Sequence, residues 1–500
     1  MSSPTPSLES PESRRPAGRV VVLLVALTGL AFLARLALVP LSDGIDWDGA
    51  GYMQQAERLG ELLAGRFPSV LGERGAFVYP LGLPLLLRLT APLAGGTRDA
   101  GVILSLLAGT ALVPLAFALA RELAGETAGL LAAGWTALDL PLVERSATVQ
   151  SESVFAAFLA GGLLLLLRAP LVRRRAVVAA ALLVGGASVR SVGLPIGLVA
   201  AVLLARRGER RVAAALVGGL VVVAAAQKAV EAHNGAVPYW RTVYRLTLWE
   251  EKVDPGFFDV DGTGATIRHG TDELGYGEVW RTRPRLALRV IGESALAGAG
   301  SLLPFALLVP FGVSRRGLLL VAAIGVGAVL PLALLQHPIY MPRMLLPFRP
   351  LVFALAAAAV RRGPRLRFSE GGATAVAVFL GLGVPLALGA PSFSGLARLG
   401  SKASPRARAD GTAERIAAAV PPGERVLRGP GGDRTLLALA SRCDVYAPAT
   451  TPEKLRAFCE KNAIRFVLHD GSVPLEPLFR PFRTRTSLVG SGQQLTLLER

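Results

Sequence analysis

Apolar residues in this chain fall in long unbroken blocks separated by short basic stretches, a pattern unlike the alternating or three-to-four-residue spacing of soluble domains. The blocks lie near 20–41, 100–120, 127–143, 151–168, 176–189, 191–205, 212–232, 286–312, 317–335, 344–360 and 371–391. A helix needs roughly 20 apolar residues to cross a bilayer, so these blocks predict about 11 transmembrane helices. The first is longer than a signal-peptide core and lacks a small-residue cleavage site, so it is expected to stay as an uncleaved span. Residues 1–18, rich in Ser, Pro and charge, read as a disordered tail.

Basic residues decide how the blocks are threaded. The stretch 176–205 is interrupted only by Arg190, with Arg173, Arg174 and Arg175 before it and Arg206, Arg207, Arg210 and Arg211 after it. Two basic flanks belong on one side of the membrane, which predicts a hairpin of two short helices with Arg190 at its outer tip. The same rule puts the N-terminus in the cytoplasm and, after an odd number of spans, the C-terminus outside. The outer face then carries loops 42–98 and 233–285 and the module 392–500. That module is polar, with helices expected near 411–420 and 452–462 and strands near 424–427 and 464–468, and reads as a small extracytoplasmic α/β domain. The predicted division is a tail at 1–18, a transmembrane domain at 19–391 and the C-terminal domain at 392–500.

Composition agrees with an integral membrane protein: 52% hydrophobic, 18% charged, 6% aromatic, mean hydropathy +0.48. The net charge of +18 would suit a nucleic-acid partner if the cations were clustered, but they lie in short groups between apolar runs, so no such partner is expected. The two cysteines, Cys443 and Cys459, exclude a disulfide-rich fold; a bridge between them and a pair of free thiols are both open. No GxxxxGK[ST] loop occurs, so no nucleotide-driven pump is indicated. The short Asp259–Gly264 stretch lacks the other ligands of a calcium loop and reads as a turn.

Candidate chemistry gathers at the predicted outer surface. Asp43, Asp46 and Asp48 follow the first span within six residues and precede an amphipathic helix expected over 53–63. Carboxylates so placed raise one another's pKa, which suits a general base or a divalent-metal ligand. The same residues would equally serve as caps favoured by the helix dipole. Glu152 at the start of a span has the same two readings, and His337 reads either as a proton shuttle or as a structural interfacial histidine. Asp139 is costly in lipid and must face the bundle or the interface. Aromatic residues Trp240, Tyr244 and Trp249 alternate with charge in loop 233–285, as in an interfacial lid or acceptor surface.

Several pieces together resemble the GT-C glycosyltransferases, closest to the bacterial protein O-mannosyltransferase and aminoarabinose-transferase branch. They are Asp48 with Tyr52 four residues on, Val78-Tyr79-Pro80-Leu81-Gly82, Gln150-Ser151-Glu152, Ser188-Val189-Arg190-Ser191, and His337-Pro338-Ile339-Tyr340-Met341-Pro342-Arg343. The stretch Asp46-Trp47-Asp48-Gly49 also resembles the mannosyltransferases of glycolipid-anchor assembly, in the same superfamily. Gly49 stands where the usual acidic pair has Glu, and Leu81 where a second Pro is common, so either Asp46 and Asp48 supply the pair here or a single carboxylate serves.

The resemblance implies transfer of a sugar from a polyprenyl-phosphate donor to a hydroxyl of a protein, glycolipid or polysaccharide, with inversion, at the outer face of the inner membrane. It implies Asp48 as base, with Asp46 supporting it or joining it as ligand of a divalent metal, Mg or Mn, and Arg343, Arg190 and Tyr340 on the donor phosphate. Asp43, Tyr52, Tyr79, Glu152 and His337 are further site candidates. Two other readings stay open: a lipid or solute transporter, which would carry charge at mid-depth rather than at helix ends, and a catalytically degenerate envelope scaffold.

Overall fold

The computed structural model describes residues 18–41, 47–65, 78–236, 284–299, 302–314, 317–333 and 341–362, together with 419–420, 425–428, 444–446, 465–469, 483–490 and 493–499 near the C-terminus. Residues 1–17 of the predicted tail, Asp43, Asp46, residues 237–283, His337, Tyr340, the span 371–391 and both cysteines lie outside these residues.

The helices are α1 (Gly18–Leu38), α2 (Trp47–Glu57), α3 (Leu59–Leu63), α4 (Gly82–Ala94), α5 (Thr97–Ala124), α6 (Glu126–Leu138), α7 (Leu140–Ser146), α8 (Ser151–Leu167), α9 (Arg173–Val189), α10 (Gly193–Arg206) and α11 (Arg210–His233). After residue 283 come α12 (Pro284–Ala299), α13 (Leu303–Gly312), α14 (Leu318–Ala333), α15 (Met341–Leu345) and α16 (Arg349–Arg362). A 3-10 turn, Leu346–Phe348, joins the last two. Among the described residues four stretches are long and apolar enough to cross a membrane: α1, α5, α11 and 342–362. The chain is a polytopic, integral membrane protein.

Two departures from the predicted spans shape the site. Residues 82–94, read from sequence as part of an outer loop, form the apolar helix α4, packed on α5 and α9. Their Pro-rich opening hid them, because Pro84 sits in the first turn, where its missing N–H costs nothing. The predicted span 127–143 breaks at Asp139, and α7 then turns through 113° into α8. Asp139 caps α7 by accepting from the Leu142 amide at 3.2 Å, and Pro141 pre-sets the first turn. The predicted span 286–312 likewise appears as two helices, α12 and α13.

The core lies where α5, α6, α8 and α16 meet. Its large members are aromatic: Trp135 stands edge-on to Phe305 at 4.9 Å, Phe305 to Phe353 at 4.8 Å, and Phe155 to Phe348 at 6.3 Å. Between helices in lipid there is little hydrophobic gain, so close packing through small residues carries association. The run Ala356–Ala359 of α16 is buried throughout, and Gly129 of α6 lies so close to Phe117 of α5 that an added Cβ would stand 2.7 Å from its ring.

Near the C-terminus five strands form one sheet in the order β2-β1-β3-β5-β4: β1 (Arg425–Arg428), β2 (Asp444–Tyr446), β3 (Phe466–His469), β4 (Arg483–Gly490) and β5 (Gln493–Glu499). Strands β2 and β3 run parallel to β1, while β5 is antiparallel to β3 and β4. The strands expected near 424–427 and 464–468 correspond to β1 and β3; the helix expected at 452–462 lies outside the described residues.

Candidate functional site

The site forms where four chain breaks converge: the start of α2, the α7–α8 elbow, the α9–α10 tip and α15. At the elbow, Ser105 of α5 takes hold of the backbone, its hydroxyl accepting from the Gln150 amide and donating to the Gln150 carbonyl, each at 3.3 Å. Gly101, one turn away, admits Val149, which would lie 2.6 Å from an added Cβ. The elbow is thereby seated on α5, and Gln150, Ser151 and Glu152 enter the bundle fully buried.

Glu152 is the hub. Its Oε1 receives Arg190 at 3.0 Å from the α9–α10 tip and pairs with Arg343 Nε from α15. Arg343 extends further, donating to Gln150 Oε1 at 2.6 Å and pairing with Asp48 Oδ2 at 2.6 Å. Asp48 Oδ1 accepts from the Tyr79 hydroxyl at 2.8 Å. The result is a chain of alternating charge, Asp48–Arg343–Glu152–Arg190, whose formal charges cancel. Gln150 Nε2 and Glu152 Oε2 are buried and have no protein partner among the described residues.

Arg190, the expected outer tip, turns inward rather than up to the headgroups: it is 8% exposed and also donates to Ser151 Oγ at 3.0 Å. The fold enforces this, because Gly193 packs against Ala187, whose Cα would lie 2.7 Å from a Cβ, pinching the tip closed. Tyr52, one turn along α2 from Asp48, is buried, donates to Ser151 Oγ at 3.1 Å, and packs its ring 4.5 Å from that of Tyr79. Burial pushes the Tyr52 phenol well above its ordinary pKa, and the nearby Asp48 charge adds to the shift.

Asp48, Tyr52, Tyr79, Glu152, Arg190 and Arg343 are thus brought together from five separate segments. Gln150 and Ser151 join them, though sequence reasoning singled neither out as a site residue; their signal was a polar triplet opening an apolar run. Asp43, Asp46, His337 and Tyr340 lie outside the described residues.

The expected metal ligands were Asp46 and Asp48. Among the described residues no three His, Cys, Asp or Glu side chains converge. Both oxygens of Asp48 are engaged, one by a phenol and one by a guanidinium, and Glu152 is shared by two arginines. This donor set suits an anion beside the arginines better than a divalent cation between the carboxylates.

A second buried ion pair lies deeper. Arg349, at the start of α16, donates Nε to Asp139 Oδ2 at 2.7 Å and Nη2 to Oδ1. Arg35 of α1, fully buried, donates to the Ala31 carbonyl at 3.0 Å and the Thr136 carbonyl at 3.5 Å. Asp139 therefore faces the bundle, as its cost in lipid requires.

Residues 78–228, under a third of the chain, match the family described as dolichyl-phosphate-mannose-protein mannosyltransferase. Over nearly its whole length the chain is similar in structure to ArnT from Cupriavidus metallidurans bound to undecaprenyl phosphate, with a TM-score of 0.58 at 12% identity, covering 97% of this chain and 98% of that one. The chain shares the fold of that structure. The Archaeoglobus fulgidus oligosaccharyltransferase in its apo form also matches, with a TM-score of 0.52 at 13% identity, covering 90% of this chain and 69% of that one. The same archaeal enzyme complexed with zinc and sulfate matches with a TM-score of 0.51 at 13% identity, covering 90% and 68%. No curated protein matches the chain. At such identities the likeness carries the GT-C fold and not the chemistry, which rests on the residues of this chain.

Proposed function

We propose that this chain is a membrane glycosyltransferase that moves a sugar from a polyprenyl-phosphate donor to an acceptor hydroxyl, with inversion, at the extracytoplasmic face. The observation that carries it is Arg343 bridging Asp48 and Glu152, which puts a cation beside a partly exposed carboxylate at the end of a membrane bundle. Family and fold support the same class: the matched family and the ArnT structure with undecaprenyl phosphate both concern polyprenyl-phosphate chemistry.

In this reading the acceptor oxygen attacks the anomeric carbon and the carbon–oxygen bond to the donor phosphate breaks, its electron pair leaving with the phosphate. Asp48 takes the hydroxyl proton. Arg343, with Arg190 behind it, neutralises the departing phosphate, and the buried Gln150 Nε2 offers a further donor. A donor phosphate draws Arg343 from Asp48, which frees the carboxylate to act as base. Tyr79 holds Asp48 in place, and Tyr52 ties α2 to the elbow through Ser151. A single displacement inverts the sugar. Asp46 and Tyr340 adjoin Asp48 and Arg343 in the chain and belong to the same proposal, as do the cytoplasmic N-terminus and the outward C-terminal module.

The test is transfer of radiolabel from a panel of polyprenyl-phosphate sugars to membrane acceptors by purified protein, with Asp48→Asn alongside. Label transfer that disappears in the variant at equal protein abundance supports the reading. Donor binding without transfer to any acceptor would overturn it.

A further inference from the structure

Three helices put their basic ends together at the end of the bundle away from Asp48. Helix α9 starts with Arg173 and Arg174, α10 ends with Arg206 and Arg207, and α11 starts with Arg210 and Arg211; all six are exposed. The helices pack on one another as successive antiparallel neighbours, so the six guanidinium groups share one rim. Seventeen residues of α9 separate that rim from Arg190, about 25 Å at 1.5 Å per residue. It is a different place from the proposed transfer site.

Arg207 is committed to the protein, donating to the Leu166 carbonyl. The other five have no acidic partner among the described residues, and the acid nearest in sequence is Glu209. Five like charges on one rim repel, and exposed charges attract counter-anions. One to two turns from the rim the same helices expose apolar side chains: Val177 (50%), Val202 (53%) and Val217 (37%). A free anion would use the cations and leave the valines unused. A ligand with an anionic head and acyl chains uses both.

We propose that this rim binds anionic phospholipid, its phosphate among Arg173, Arg174, Arg206, Arg210 and Arg211 and its chains along the exposed valines of α9–α11. Two other basic residues at helix ends are bound to the protein: Arg168 pairs with Glu122 at 3.3 Å and Arg362 donates to the Leu123 carbonyl. The inference is independent of the glycosyl-transfer reading.

The purified full chain in neutral detergent is titrated with phosphatidylglycerol and with phosphatidylcholine of equal chain length, and bound lipid is counted by native mass spectrometry. Phosphatidylglycerol is expected to bind in preference, the preference falling with added salt and by about fivefold for each arginine neutralised. R206Q/R210Q/R211Q removes it, R206K/R210K/R211K keeps most of it, and glycerol phosphate does not compete. Equal binding of the two lipids overturns the proposal, as does a preference that survives the Gln variant or that is abolished by Arg343→Gln. Displacement by glycerol phosphate at equal concentration would show a bare anion site and overturn it too. Should the Gln variant fail to fold, the salt titration of the native protein decides: a preference unchanged by salt sinks the idea.

Discussion

Arg349 grips Asp139 with both arms of its guanidinium across 210 residues of chain, with each side chain 7% exposed. Six residues before Arg349 comes Arg343, and eleven after Asp139 comes Gln150, so the deep pair and the site pair staple the same two segments to each other. A bidentate pair admits one register, and this one places Arg343 over Glu152.

Removing one partner leaves a buried charge uncompensated, which costs about 3–5 kcal/mol. Asp139→Asn should therefore lower the melting temperature markedly, while the double variant Asp139→Leu with Arg349→Met should recover much of it. Melting curves in one detergent test this. A double variant as unstable as the single one would show that the charge is not the cause.

Arg343 meets both Asp48 and Glu152 because its fork presents several donors at once, which a lysine ammonium does by position only. Under the proposed mechanism Arg343→Gln should lower the transfer rate by about 10²–10³. Arg343→Lys should lower it less. Steady-state rates on a saturating donor distinguish these from a loss of donor affinity, and an unaltered rate in Arg343→Gln would remove the residue from the chemistry.

Gly51 lies under the Tyr79 ring, where an added Cβ would stand 2.3 Å from Cε2. Gly51→Ala must push the ring aside and with it the hydroxyl that Asp48 Oδ1 accepts from. Transfer should fall at least as far as in Tyr79→Phe, whose lost hydrogen bond is worth about 1 kcal/mol, roughly fivefold. Normal activity in both variants would show that Tyr79 does not position Asp48.

Tyr52 is held neutral by burial first and by Asp48 second. Its folded pKa exceeds the unfolded value of about 10, so its contribution to stability is complete below that pH. It is lost as pH rises through the folded value, because the unfolded chain ionises first. Alkaline melting curves of the native protein should fall more steeply above about pH 10 than those of Tyr52→Phe. Parallel curves would contradict the assignment.

The block pattern and the basic flanks made the membrane class, most helix positions and two strands of the C-terminal sheet legible, because burial in lipid demands long apolar runs whatever surrounds them. Asp48 was legible too, as a carboxylate beside a span. Other features were set by distant partners. Whether Arg190 faces lipid or protein depended on Glu152, 38 residues away, and on the close packing of Gly193 against Ala187. Asp139 showed only that it was costly; Arg349 supplied the reason it is tolerated. The α7–α8 elbow, the helix hidden in 82–94 and the chain of charge from Asp48 to Arg190 are properties of contacts between segments. Local sequence sets which groups are available and how far they are from lipid, while tertiary packing decides which opposite charge each one meets.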